Sequence, residues 1–199
     1  MMLTELTTVP PTVLPVSQFK NHLRLGSGFS DDGLQDEMLE GFLRAALAAI
    51  EARTGKILVT RDFSWTITGW RDEQRQPLPL APVHAIIRMV LIARDGSEIL
   101  IPDHRYQLEK DDQRPSVLAT SSCLPSIPTG GSLKVEVVAG YGADWTDLPI
   151  DLRQAVMMLA AHFYEYRHEA ALHGGTMPFG VSALIDRYRT VRLFMGSGQ

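Results

Sequence analysis

Apolar and polar positions along this chain follow two different periods, and the places where the period changes divide it. Leu133, Val135 and Val137 alternate with Lys134 and Glu136, the two-residue period of a strand with one buried face. Gly140-Tyr141-Gly142 breaks that strand. Beyond it Leu152, Val156, Leu159 and Phe163, joined by Ala155 and Tyr166, recur every 3.6 residues and predict an amphipathic helix over 149–170. Asp147 reads as its N-cap and Pro149 as its first residue, where a missing N–H costs nothing.

The helical period also governs 32–54. Leu34, Met38, Phe42, Ala45 and Ala49 form one stripe, broadened by Leu39, Leu43, Leu47 and Ile50, and Gly55 marks the stop. Its many small residues permit close approach of another helix, read as 149–170. A shorter helix is predicted from Val16 to Leu25. From Thr60 the period becomes two, with Phe63, Trp65 and Ile67 on one face. Residues 70–79 read as polar loop. The apolar run Val83–Ala93 faces Glu98–Ile101 across Arg94-Asp95-Gly96-Ser97, a hairpin signal. Short strands follow at 104–108 and 116–119, and a Pro- and Gly-bearing loop covers 121–131.

The predicted class is therefore α+β: two long packed helices with a small antiparallel β-sheet inserted between them, and an extended C-terminal tail. The organisation is an extended arm (1–15), one α+β domain (16–186; helical at 16–55 and 148–186, with a β insertion at 58–140) and a tail (187–199). The scaffold core is assigned to Leu152, Val156, Leu159, Phe163, Phe42 and Met38.

Composition narrows the function classes. With 199 residues, 45% hydrophobic and 21% charged, the chain has the make-up of one globular domain with a sizeable core. A net charge of −4 weighs against duplex recognition, which calls for a basic face. No apolar run reaches the length of a membrane span. Residues 1–15 hold no Lys or Arg, so the basic start of a signal peptide is missing, and the lone Cys123 has no internal partner. These features read as synthesis in the cytoplasm.

Few residues invite chemistry. His162, Glu165 and His168 contain a Glu-x-x-His pair, half of a di-iron carboxylate pattern. The predicted partner helix offers Glu37, Glu40 and Glu51 but no histidine, and an i to i+6 pair is splayed by about 240° around a helix. Cys123 lacks a catalytic-cysteine signature. Gly140-Tyr141-Gly142 lacks the third glycine of a dinucleotide loop and reads as a tight turn. No catalytic residue, cofactor or metal site is assigned. The rival readings are a small metal- or His/Glu-dependent enzyme and a nucleic-acid-binding regulator. The tail combines Arg187, Arg189 and Arg192 with Tyr188, Val191, Leu193 and Phe194. That is too few arginines for strong phosphate binding and more apolar than a disordered end, so it reads as a docking peptide.

An ordered set of short motifs carries a family resemblance. They are Leu14-Pro-Val-Ser-Gln-Phe-Lys-Asn-His-Leu-Arg24, Asp31-Asp32, Ile50-Glu-Ala-Arg-Thr-Gly55, Asp95-Gly96, Val138-Ala-Gly-Tyr-Gly142, Leu148-Pro149, His162-Phe-Tyr-Glu-Tyr-Arg167, Met177-Pro-Phe-Gly-Val181 and Tyr188-Arg189. The set, over roughly 14–192, resembles the head–tail connector (adaptor) proteins of long-tailed phages and gene transfer agents. The resemblance implies a non-enzymatic virion protein that forms a ring, twelvefold by expectation, under the portal of a DNA-filled head. It implies portal docking by the C-terminal segment, a stopper or tail-completion protein on the other side, and DNA passing through the lumen without sequence-specific binding. No cofactor and no membrane is implied. Deleting 187–199 is expected to leave a folded protein that cannot join heads.

Overall fold

The computed structural model describes residues 2–25, 33–167 and 177–189. Its helices are α1 (Val16–His22), α2 (Gly33–Thr54), α3 (Ile150–Glu165) and α4 (Phe179–Ile185). Its strands are β1 (Met2–Glu5), β2 (Arg61–Ile67), β3 (Arg75–Pro77), β4 (Val83–Ile92), β5 (Glu98–Ile101), β6 (Tyr106–Glu109), β7 (Ser116–Ala119) and β8 (Ser132–Ala139). A five-stranded antiparallel sheet has the order β1-β2-β8-β4-β5, and a three-stranded one the order β3-β7-β6.

This corrects the expected fold class. The protein is mixed α and β, but it is not two long helices around one small sheet. The described residues form four helices, of 7, 22, 16 and 7 residues, and two sheets. Two strands come from segments with no alternating pattern. Met2–Glu5, read as a loose arm, pairs with β2 along Met2–Thr66 to Glu5–Phe63. Arg75–Pro77, read as loop, pairs with β7. Both lie at sheet edges: all four residues of β1 are exposed, and the one buried residue of β3 is the polar Gln76, so neither strand leaves an apolar alternation to read.

Two cores result. The sheets share one, in which Phe63, Trp65, Met89, Leu133, Val135 and Val137 of the large sheet meet Tyr106, Val117 and Leu124. The helices build the other from Phe19, Leu39, Leu43, Ile50, Leu152, Val156 and Leu159. Met38, placed in the scaffold core from sequence, is 40% exposed, and Phe42 and Phe163 are half-buried at its rim. The buried face of α2 is instead Leu39, Leu43, Ala46, Leu47 and Ile50. Both stripes of α2 are apolar, so the periodicity alone could not say which one the neighbouring helices cover. Phe42 still meets Tyr164 of α3 edge to face, at 5.9 Å between ring centroids.

The helix boundaries follow local chemistry. Gly55, at φ +71°, ends α2 and donates its N–H to Glu51 O at 2.8 Å. Pro149 is the N-cap of α3, while Asp147, predicted there, accepts the Asp144 N–H and closes the preceding 3-10 turn. The Gly140 turn is the seam between the two cores. Gly140 donates to Pro82 O (3.0 Å), Tyr141 to Leu58 O (3.0 Å), and Thr60 to Gly142 O (2.9 Å). At φ +142°, a Cβ on Gly140 would strike the backbone of Val59 and Thr60. Gly140→Ala is therefore expected to cost at least roughly 1–3 kcal/mol from backbone strain alone. Denaturant unfolding measures it, and an unchanged midpoint would refute this account of the seam.

Candidate assembly surfaces

Of the sequence-predicted chemical residues, His162 lies on α3 with its ring 4.6 Å from that of Tyr166, and Cys123 is exposed. His168 lies outside the described residues. Among the described residues no three His, Cys, Asp or Glu side chains gather in a way that could hold a metal, and no helix is long and apolar enough to cross a membrane.

The start of the tail is held rather than free. Tyr188 is buried, and its hydroxyl donates to Asp151 Oδ1 at 2.7 Å. Arg187 reaches the same carboxylate at 2.8 Å and also donates to the Tyr188 hydroxyl. The Tyr188 ring stands edge-on to Tyr141, at 6.3 Å between centroids. Burial, ahead of the neighbouring charges, pushes the Tyr188 hydroxyl above its usual range. These contacts fasten the segment after α4 to the first turn of α3. Arg189 turns back to Asp186 at 3.1 Å and remains half exposed. Of the predicted docking residues, then, Arg187 and Tyr188 serve the fold, and Val191, Arg192, Leu193 and Phe194 lie outside the described residues.

A second polar device ties three elements together. Arg61 of β2, with a side chain only 8% exposed, sends two 2.6 Å hydrogen bonds to Glu51 of α2 and one of 3.0 Å to Glu5 of β1. Glu51 also accepts the Leu58 N–H at 2.8 Å. Desolvation is the largest influence on Glu51 and holds its pKa above the ordinary carboxylate value, outweighing the attraction of Arg61. The sequence offered no sign of this network, because its members are 10 and 56 residues apart. A separate tether fixes the 110–114 loop, where the buried Lys56 donates to the carbonyls of Asp112 (2.9 Å) and Gln113 (3.2 Å).

The remaining surface feature is apolar. Met2, Leu3 and Leu6 at one edge of the large sheet, and Ile99 and Leu100 at the other, are exposed, as are Ile150 and Phe179 on the helices. Such residues carry no chemistry of their own; they suit burial against other chains.

Neither protein-family models nor curated proteins give a match to the chain. Solved structures do. The chain is similar to a protein in the neck of an empty gene transfer agent (GTA) particle computed with C6 symmetry, with a TM-score of 0.89 and 49% identity, covering 98% of this chain and 99% of that one. It is similar at 48% identity and a TM-score of 0.86 to a chain of the native GTA virion, again over 98% of this chain and 99% of the other. A neck of the native particle computed with C12 symmetry contains a chain 44% identical, with a TM-score of 0.84 and the same coverage. Half of all positions shared over essentially the whole of both chains is far beyond a common fold, and the chain belongs to the family of gene transfer agent neck proteins.

Proposed function

We propose that this protein is the head–tail adaptor of a gene transfer agent or tailed phage. It is a structural component of the particle neck, at the head–tail junction, and its role is mechanical rather than catalytic. The observation that carries this reading is the full-length similarity to chains in GTA necks. Many copies form a ring, twelve by analogy with the C12 neck, beneath the portal and above a stopper or tail-completion protein.

The physics of the chain supports that role. A cyclic ring needs a heterologous contact, one face of a subunit against a different face of the next. Residues 190–199 dock on the portal from a root fastened by Asp151, Arg187 and Tyr188. Even millimolar docking, about −4 kcal/mol per tail, becomes durable when many tails engage at high effective concentration. A net charge of −4 disfavours tight phosphate binding, which suits a conduit through which DNA slides.

The test is the solution mass of the protein, alone and mixed with the portal protein encoded beside it. A defined ring complex is expected. A chain that stays monomeric with the portal at every salt concentration would overturn the adaptor reading.

A further inference from the structure

Among the described residues the large sheet has two unpaired edges, and they match each other. Each neighbouring pair in the order β1-β2-β8-β4-β5 is antiparallel, so four reversals leave β1 and β5 running in the same direction. Neither edge strand carries a proline, lysine or bulge, and although both are only four residues long, each has a single charge, Glu5 on β1 and Glu98 on β5, at one end. Leu3 is 41% exposed, Ile99 58% and Leu100 63%.

Hydrogen-bond parity fixes which backbone groups point away from the sheet. Leu6 N–H donates to Asp62 O at 2.8 Å, so by the two-residue alternation Met2 and Thr4 face β2 while Leu3 and Glu5 point away. Ala93 N–H donates to Ser97 O at 2.9 Å, so Ile99 and Ile101 face β4 while Glu98 and Leu100 point away.

We propose that β1 of one copy adds in parallel to β5 of the next, joining the five-stranded sheets into a continuous belt around the ring. Met2 lies opposite the neighbour's Glu98, Leu3 opposite Ile99, Thr4 opposite Leu100 and Glu5 opposite Ile101. In this register the Leu3 N–H donates to the neighbour's Glu98 carbonyl, the neighbour's Leu100 N–H donates to Leu3 O, and the Glu5 N–H donates to the Leu100 carbonyl. The faces agree as well. Leu3 shares a face with Trp65, and Ile99 shares one with Leu91, both in or against the sheet core. Charge selects the direction, because parallel pairing keeps Glu5 and Glu98 at opposite ends of the contact whereas antiparallel pairing sets them face to face. Joining unlike edges propagates a head-to-tail contact, as the C6 and C12 necks of the relatives require, whereas joining like edges would close a two-fold dimer.

This inference rests on the ring reading above, and its test separates the two. The full-length chain with Cys123→Ser, Leu3→Cys and Ile99→Cys is assembled with the portal protein and mildly oxidised. Adjacent strands put these two positions within disulfide range. A ladder of covalent multimers, collapsed by thiol, is expected, and the pair Glu5→Cys with Glu98→Cys should give none. Leu100→Pro removes only an outward N–H and is tolerated by an edge strand. It should keep the unfolding midpoint and weaken assembly at least tenfold. A ring that assembles without the Leu3–Ile99 crosslink, or that tolerates Leu100→Pro, overturns the belt and leaves the adaptor reading standing. Failure of the unaltered chain to form any ring overturns both.

Discussion

Replacing Arg61 by methionine should destabilise the fold by about 3–5 kcal/mol at neutral pH, the cost of leaving a buried carboxylate without its partner. Arg61 is the only side chain that gives Glu51 a charged hydrogen bond among those described, and the Leu58 N–H alone would remain. The pH dependence is the sharper check. Burial already raises the folded pKa of Glu51 above 4.5, so the group favours the fold fully below that value and loses this contribution as pH rises through the folded pKa. Without Arg61 the folded pKa rises further, and the charged form becomes costlier still. The deficit of Arg61→Met should therefore be largest near pH 7 and shrink on acidification towards pH 4.5, as Glu51 takes up a proton. Urea unfolding at several pH values measures it. A deficit that does not change with pH would mean that lost packing around Phe63, over which Arg61 lies at 5.3 Å, is the cause instead.

The second large effect separates the tail's root from its docking segment. Truncation after Asp186 removes Tyr188, a buried aromatic residue bonded to Asp151, and should cost about 3–5 kcal/mol, the range for losing a large aromatic side chain. Truncation after Arg189 keeps that clamp. It should leave the unfolding free energy within about 0.5 kcal/mol of the full chain, as for changes away from packed features, and abolish association with the portal. Sedimentation with the portal protein, beside denaturant unfolding of each truncated form, reads both effects. A chain ending at Arg189 that still binds the portal would refute docking by residues 190–199. The deletion of 187–199 suggested by sequence is thus a poor test, because it confounds docking with stability.

Met38 shows how periodicity can locate a helix and still misplace its inner face. The 3.6-residue pattern found α2 and α3, since each helix must bury a stripe whatever its neighbours are. The partner decides which of two adjacent apolar stripes goes inside, and α1 and α3 settled on Leu39, Leu43 and Ile50 rather than Met38. The same limit explains the edge strands. β2, β4 and β8 announce themselves because their inner residues alternate or run together, whereas β1 and β3 exist only because a neighbouring strand offers them a ladder.

For this protein the sequence by itself determined what depends on residues close along the chain. That includes the positions of α2 and α3, the Asp95-Gly96 hairpin, the break at Gly140-Tyr141-Gly142, and an ordered set of motifs specific enough to point at a particle neck. Tertiary structure alone decided what depends on residues brought together from afar. It fixed the order of the five strands and hence the two matching edges. It also set the Glu5–Arg61–Glu51 network and the capture of Tyr188 by Asp151, 37 residues away. The physical reason is that local pattern reflects backbone geometry and one-sided burial, which act within a turn or a strand. Pairing partners are selected by the free energy of the whole packed molecule.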